Sequence, residues 1–318
     1  MAPTGYYIHR DFWKHEMGRG HPECPQRLDA IEDRLLVTGV ADALERRDDM
    51  PLATLAQITR AHAAEHLEYL ESLHQRLVAD EGVGGPEYAQ VDPDTSLNRG
   101  TLLAARRAAG AAIAATDAVA RGELANAFCA VRPPGHHACR AQAMGFCFLN
   151  NVAIAARHAL DEHGFSRVAV VDFDVHHGNG TEDILAGDPR VLMVGIFQHP
   201  FYPYSGTDHP AGNMVNVPVP AYTKGMDVRE VFDLICLPRL EAFKPQMIFV
   251  SAGFDAHRDD DMGQLGLNEN DYAWITERVR DIAQRHAKGR IVSLLEGGYN
   301  LDALARSVET HVRVLADL

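Results

Sequence analysis

The segment DFDVHHGNGT (172–181) spaces Asp172, Asp174 and His176 by two residues. In an extended chain, alternate side chains share a side. Asp174 and His176 can then offer one oxygen and one nitrogen to a single metal ion. A catalytic zinc takes three protein ligands and keeps a position open for water and substrate. Asp260, in the acidic loop SAGFDAHRDDD (251–261), can supply the third. Two carboxylates and one imidazole lean toward oxygen, so iron, cobalt and manganese also suit the set. A lone Asp-x-His is ordinarily a loop carboxylate beside a surface histidine. Glycines at 178 and 180, a second histidine and the Asp-rich distal loop turn the balance toward a site.

Acid–base groups come from two further segments. In RPPGHHA (132–138), prolines fix φ and a glycine permits a sharp turn before His136 and His137. A rigid turn can aim both imidazoles into one pocket. One could take a proton from a water activated by the metal and return it to a leaving amine. The other could stay charged and stabilise the transition state. Each needs a partner on its far nitrogen to fix its tautomer, and Asp172 and Asn179 are the candidates. In LEGGYN (295–300), a Gly-Gly turn presents Tyr299. A phenol donates a hydrogen bond at neutral pH and can hold a developing oxyanion.

These segments need a scaffold that brings them to one place. Each follows a short apolar run: 126–131 (NAFCAV), 167–173 (RVAVVDF), 246–251 (QMIFVS) and 290–295 (RIVSLL); a further run is 191–196 (VLMVGI). Near-continuous apolar runs are expected of strands buried on both faces. Helical segments are predicted at 102–119, 150–160, 227–243, 268–287 and 300–316. Their alternation with strands predicts an α/β fold, a single domain over 1–318 whose central parallel sheet carries helices on both faces. Ligands bind such sheets at the carboxyl ends of the strands, where the chemistry-bearing segments lie.

Composition narrows the function. The chain has 318 residues, 46% hydrophobic and 23% charged, without the signature of disorder or a fibrous repeat. A formal net charge of −14 argues against direct nucleic-acid binding and suits a cationic substrate. The five cysteines, with no CxxC pair, point to a reducing compartment. The N-terminal stretch has no apolar signal-peptide core, and no apolar run reaches the roughly 18 residues of a membrane span. The expectation is a cytoplasmic protein without membrane contact. The Pro-, Gly- and Tyr-rich stretch 197–224 reads as a loop that lines the site or meets a partner subunit in a homo-oligomer.

The motifs together resemble the histone deacetylase and acetylpolyamine amidohydrolase family, of the arginase-deacetylase fold. HPECPQRL (21–28), RPPGHHA, GFCFLNN (145–151), DFDVHHGNGT, SAGFDAH and LEGGYN match it in order, over nearly the whole chain. Asn179, where some members carry aspartate, is similar to the class II and bacterial branch. The resemblance implies one Zn²⁺ per chain on Asp174, His176 and Asp260. It implies His137 as general base and acid oriented by Asn179, His136 as its electrostatic partner bonded to Asp172, and Tyr299 as the carbonyl-polarising donor. Phe146 and Tyr202 would wall an acyl-lysine tunnel. Gly135, Gly145 and Gly298 would line the pocket, and Arg27 would be an internal arginine behind it.

Two departures stand out. Gly195-Ile196-Phe197 replaces the family's Ser-x-His, removing a serine oxygen from the structural K⁺ site that the resemblance implies; carbonyls of Asp172, Asp174 and His176 would remain. Asp260-Asp261 replaces Asp-Pro, so the choice of Asp260 rests on spacing from Ser251. The implied reaction removes an acyl group from a lysine side chain in a peptide, or from an acetylated polyamine or other small amine, and hydroxamate-type inhibitors should bind. Asp92, Asp94 and Glu16 are candidate rim charges for a cationic substrate. Competing readings are a two-manganese ureohydrolase on the related fold and a catalytically silent acyl-ligand-binding homologue. The first is disfavoured by HHGNG and the tyrosine, the second by the complete set of reactive residues.

Overall fold

The apolar runs form strands of one sheet in the computed structural model, which describes residues 2–79 and 86–318. The strands are β1 (Thr4–Tyr7), β2 (Leu44–Arg47), the short pair β3 (Ala89–Gln90) and β4 (Ser96–Leu97), β5 (Asn126–Cys129), β6 (Val168–Asp172), β7 (Val191–Gln198), β8 (Met214–Val219), β9 (Met247–Ala252) and β10 (Ile291–Leu295). Eight of them make a wholly parallel sheet in the order β2-β1-β5-β10-β9-β6-β7-β8. Every residue of β5, β6, β9 and β10 is buried. These four are neighbours at the centre, and each is followed by one of the segments that carry chemistry.

The helices are α1 (Gln26–Val37), α2 (Leu55–Ile58), α3 (Ala64–Ala79), α4 (Thr101–Arg121), α5 (Asn151–Glu162), α6 (Asn179–Leu185), α7 (Gly225–Val231), α8 (Leu237–Phe243), α9 (Glu269–His286) and α10 (Leu301–Ala316). α4 packs along α5, and α1, α10 and α9 pack in series, so the sheet is covered on both faces as predicted. Gly110 of α4 allows the chain at Pro51 to approach closely: a Cβ there would stand 1.9 Å from the Pro51 carbonyl oxygen. Among the described residues, no helix is long and apolar enough to cross a membrane.

Four features differ from expectation. The stretch 197–224 contains β8, whose MVNVPV alternates too weakly, with Asn216 and Pro218, to stand out. The stretch 227–243 is broken by a π-turn at Phe232–Cys236. Pro238 in the first turn of α8 has no N–H to continue the ladder. The strand β1 (TGYY) and the edge strand β2 (LERR) beside it lie outside the predicted elements, being four residues each with Gly or charge inside.

A buried ionic cluster ties the N-terminal segment to the core. Glu23 is fully buried and accepts from Arg27 Nη1 at 3.1 Å and Arg132 Nη2 at 2.7 Å, with His15 Nε2 at 3.2 Å. Burial would raise the carboxyl pKa, but Arg132 and His15 hold it well below the ordinary range. A depressed carboxylate stabilises the fold above its unfolded pKa, and that contribution fades as pH falls toward the folded value. Glu23→Gln leaves two buried guanidinium groups without their counter-charge. It is expected to cost about 3–5 kcal/mol at pH 7. The gap to wild type should narrow below about pH 4, as urea denaturation at both pH values would measure.

Candidate metal and catalytic site

β6 ends at Asp172, and the chain does not stay extended beyond it, contrary to the spacing argument. It turns instead, with the Asp174 N–H donating to Asp172 Oδ1 at 3.1 Å and the His176 N–H to Asp174 Oδ1 at 2.9 Å. Such short-range bonds to aspartate side chains compete with strand pairing. The turn still gathers Asp174 and His176, because Val175 N–H is tied to Asp255 Oδ1 (2.9 Å) and Gly297 N–H to Asp174 Oδ2 (2.9 Å). Gly178 fits where it does because a Cβ would lie 2.3 Å from Asp172 Oδ2.

The third acid nearest this pair differs from the expected Asp260. Ligand atoms of Asp174, His176 and Asp255 lie within 4.8 Å of one another, and Asp260 is outside that group. Asp255 follows β9 by three residues and sits at the foot of the site, whereas Asp260 lies across a turn. There Asp260 Oδ2 accepts from the N–H groups of Tyr299 (2.6 Å) and Asn300 (2.8 Å). Asn300 caps α10, so Asp260 pins the helix start that presents Tyr299.

The group fits a cation. Asp255 Oδ2 is buried without a hydrogen-bond partner, His176 Nδ1 standing 3.2 Å away. The space beside it has no side chain: a Cβ at Gly297 would fall 2.0 Å from Asp255 Oδ2 and 2.6 Å from Asp174 Oδ2. Burial and the Asp174 charge raise the Asp255 carboxyl to about 7. Burial lowers the His176 pKa, but the carboxylates of Asp174 and Asp255 beside its Nδ1 outweigh it and lift the ring to about 9. Crowded acids of this kind call for positive charge.

A second group of metal-type donors, Asp117, His158 and His163, lies apart, on α4, on α5 and at the α5 C-cap. Both histidines already bond Asp117 Oδ1 (2.7 and 2.6 Å), and the Arg60 guanidinium stands 3.4 Å from His158 Nδ1. The arrangement neutralises itself and disfavours another cation.

The histidine pair stands as the sequence suggested. His136 Nδ1 donates to Asp172 Oδ2 at 3.0 Å, and His137 Nδ1 donates to Asn179 Oδ1 at 2.7 Å. The rings are 4.0 Å apart between centroids. Burial alone would lower the His136 pKa; Asp174 and Asp172 reverse this and raise it well above the ordinary value. Burial, then the neighbouring His136 and His176, push His137 well below it. One ring is thus biased toward the charged form and the other toward the neutral form, the contrast that separate electrostatic and base roles would need.

Glu296, the residue missed in LEGGYN, fixes their backbone. Its Oε2 accepts from Gly135 N–H (2.6 Å) and His136 N–H (3.0 Å), and its Oε1 from Ser251 Oγ (3.3 Å). A carboxylate beside an expected tyrosine was the available signal. Gly180 lets α6 lie against this loop, since a Cβ there would be 2.3 Å from the Ala138 carbonyl oxygen.

A cavity of about 210 Å³ opens onto these groups, lined among others by His137, His176, Gly145, Phe146, Tyr202 and Tyr299. Phe146 meets Tyr299 edge-on at 5.9 Å. Tyr202 stands edge-on to His137 at 5.3 Å, and Phe201, not foreseen, stacks on His176 at 5.4 Å. Gly145 takes φ 55°, and a Cβ there would be 2.5 Å from the His137 ring. Tyr299 is half-buried, and the desolvation raises its pKa well above the ordinary value and keeps the phenol protonated.

Arg27 lies 5.0 Å from the Tyr299 ring centroid and donates to the carbonyls of Gly298 (2.6 Å) and Glu296 (2.5 Å). Asp94 and Asp261 reach the cavity wall. Asp92 is turned to the backbone, its Oδ2 accepting from Gly145 N–H at 3.3 Å. Glu16 is not among the residues that line the cavity. Gly195 pairs with Asp172 across β6 and β7 and contributes no side-chain oxygen there.

The comparisons identify the family and the fold. Residues 21–315 match the model of the histone deacetylase domain. The chain is 39% identical to a histone deacetylase-like amidohydrolase of Pseudomonas aeruginosa, over 88% of this chain and 73% of that protein. It is 35% identical to the type-2 histone deacetylase 2 of Dictyostelium discoideum over 97% of its own length, but spans only 20% of that longer protein. Among solved structures, the HDA15 HD domain superposes with a TM-score of 0.90 at 32% identity, covering 100% of this chain and 90% of the other.

Proposed function

The chain belongs to the histone deacetylase domain family, and from that premise we propose that it is a one-zinc amidohydrolase removing an acyl group from a lysine side chain or a small amine. The carrying observation is the oppositely tuned histidine pair at the foot of an aromatic-walled cavity, beside a cluster of acids and with the half-buried Tyr299 phenol in the same wall. We assign the ion to Asp174, His176 and Asp260. Asp260 is favoured because its neighbours Asp261, Met262 and Tyr299 line the cavity. Asp255 would then place negative charge beside His176 and the ion without ligating it. When bound, an ion of the zinc type polarises the acyl carbonyl and lowers the pKa of the attacking water.

The chain's own residues do the remainder. Neutral His137 Nε2 takes the water proton and hands it to the leaving amine, while Asn179 holds the proton on Nδ1. His136, charged against Asp172, offsets negative charge as it builds. The Tyr299 hydroxyl donates to the carbonyl oxygen as it becomes an oxyanion. Phe146, Phe201 and Tyr202 exclude water along the acyl chain and its stem.

Asp94 and Asp261 at the wall favour a substrate with a cationic far end, which supports an acetylated polyamine beside the lysine-peptide reading. Comparing kcat/KM on acetyl-lysine peptide, longer acyl-lysine peptides and N-acetylputrescine, with bound metal quantified, separates these cases. Two manganese ions per chain would point to a ureohydrolase instead, and hydroxamate binding without turnover to a silent binder. Tyr299→Phe is expected to lower kcat by about 10²–10³ with metal and hydroxamate binding retained. Unchanged turnover would remove Tyr299 from the mechanism.

A further inference from the structure

Asn179 can orient His137 only if its own amide is oriented. The carboxamide of Asn is nearly symmetric in shape, and its neighbours decide which end faces which way. Here Oδ1 faces His137 Nδ1 at 2.7 Å. The other end, Nδ2, donates to two sulfur atoms, Cys139 Sγ and Met144 Sδ, each at 3.4 Å. Neither side chain was singled out by sequence.

Thioether and thiol sulfurs are weak acceptors, and a thioether has no hydrogen to donate. They can satisfy an N–H but offer little to a carbonyl oxygen turned their way. With the amide reversed, Nδ2 would donate to His137 Nδ1 and drive the ring proton to Nε2. That nitrogen could then no longer accept a proton from water. We propose that Cys139 and Met144 are positioning residues that lock the Asn179 amide and so set the base-competent tautomer of His137.

The backbone supports this role. Cys139 and Gln142 form one small bridge (Cys139 N–H to Gln142 O, 2.8 Å), and Met144 and Cys147 another (3.1 and 2.9 Å). Both sulfurs are therefore placed by the loop that carries the histidine pair. The Cys139 thiol donates to the His137 carbonyl at 3.6 Å, which turns its lone pairs toward Asn179. Burial and Asp183 raise the thiol pKa to about 11, so it remains a donor at neutral pH.

The inference rests on His137 being the base, and the test keeps the two apart. Cys139→Val with Met144→Leu removes both acceptors at half-buried positions that tolerate similar volume. In ¹⁵N-histidine-labelled protein, with and without zinc, the His137 signal (assigned by its loss in His137→Ala) should gain Nε2–H tautomer. In the zinc-loaded enzyme kcat should fall by ~5-fold with KM unchanged, part of what a base contributes. Cys139→Ser with Met144→Leu should restore both readouts, since a hydroxyl accepts well. In an Asn179→Asp background a carboxylate accepts in either orientation, and the valine–leucine pair should then have no further effect.

An unchanged tautomer in the double variant overturns the proposal, whatever the turnover. So does an equal loss in the Asn179→Asp background, which would mean that the sulfurs act by packing alone. Full turnover in His137→Ala would instead overturn the role of His137, and the tautomer measurement would be unaffected.

Discussion

Asp174→Asn is expected to leave a folded protein that neither retains zinc through dialysis nor turns over. Asparagine keeps the shape and one acceptor for the N–H groups of His176 and Gly297. It loses the anionic oxygens that a divalent ion needs. Activity should fall by on the order of 10⁴ or more, since the whole of a rate enhancement of at least about 10⁶ rests on the loaded site. Circular dichroism should be unchanged, because removing one of several crowded carboxylates relieves repulsion felt by Asp172 and Asp255. The same metal measurement decides between the loop acids. Asp260→Asn is expected to cost more affinity than the about 10–100-fold typical of a residue that only orients a ligand, and Asp255→Asn to stay within that range. The reverse order would make Asp255 the third ligand.

His137→Ala is expected to lower kcat by about 10²–10⁴ while zinc content and KM stay near wild type. The ring is neutral and its Nδ1 is committed to Asn179, leaving Nε2 as the free acceptor. Its ring is not part of the ion group, so metal should remain. A variant that loses zinc in proportion to activity would show His137 acting as a ligand or support, not as a base. Dependence on the pair should also be unequal: alanine at 136 removes a charge, and alanine at 137 removes the proton carrier.

Much of this site was legible in the sequence because its residues are local. His136 and His137 are adjacent, and Asp174 and His176 are two apart, so any turn or strand keeps them close. The reason offered for the second pair was wrong in detail: the chain turns through bonds to Asp172 and Asp174 instead of extending. Spacing alone could not separate Asp255 from Asp260. Their reach depends on how the loop after β9 folds under the start of α10. Phe201 against His176, and the sulfurs behind Asn179, were beyond pattern reading for the same reason. The central strands were recognisable as runs buried on both faces, whereas β1, β2 and β8 draw their stability from neighbours more than from their own residues.

The neighbouring order β5-β10-β9-β6 has a consequence for how this chain can be altered. The groups proposed to hold the ion, move the proton and steady the oxyanion all hang from four adjacent, fully buried strands. Phe146 shares that support, but Phe201 and Tyr202 follow the flanking strand β7, and Asp94 sits between β3 and β4. Selectivity for acyl length or for the amine can therefore be retuned by exchanging peripheral loops, with the reactive centre left in register.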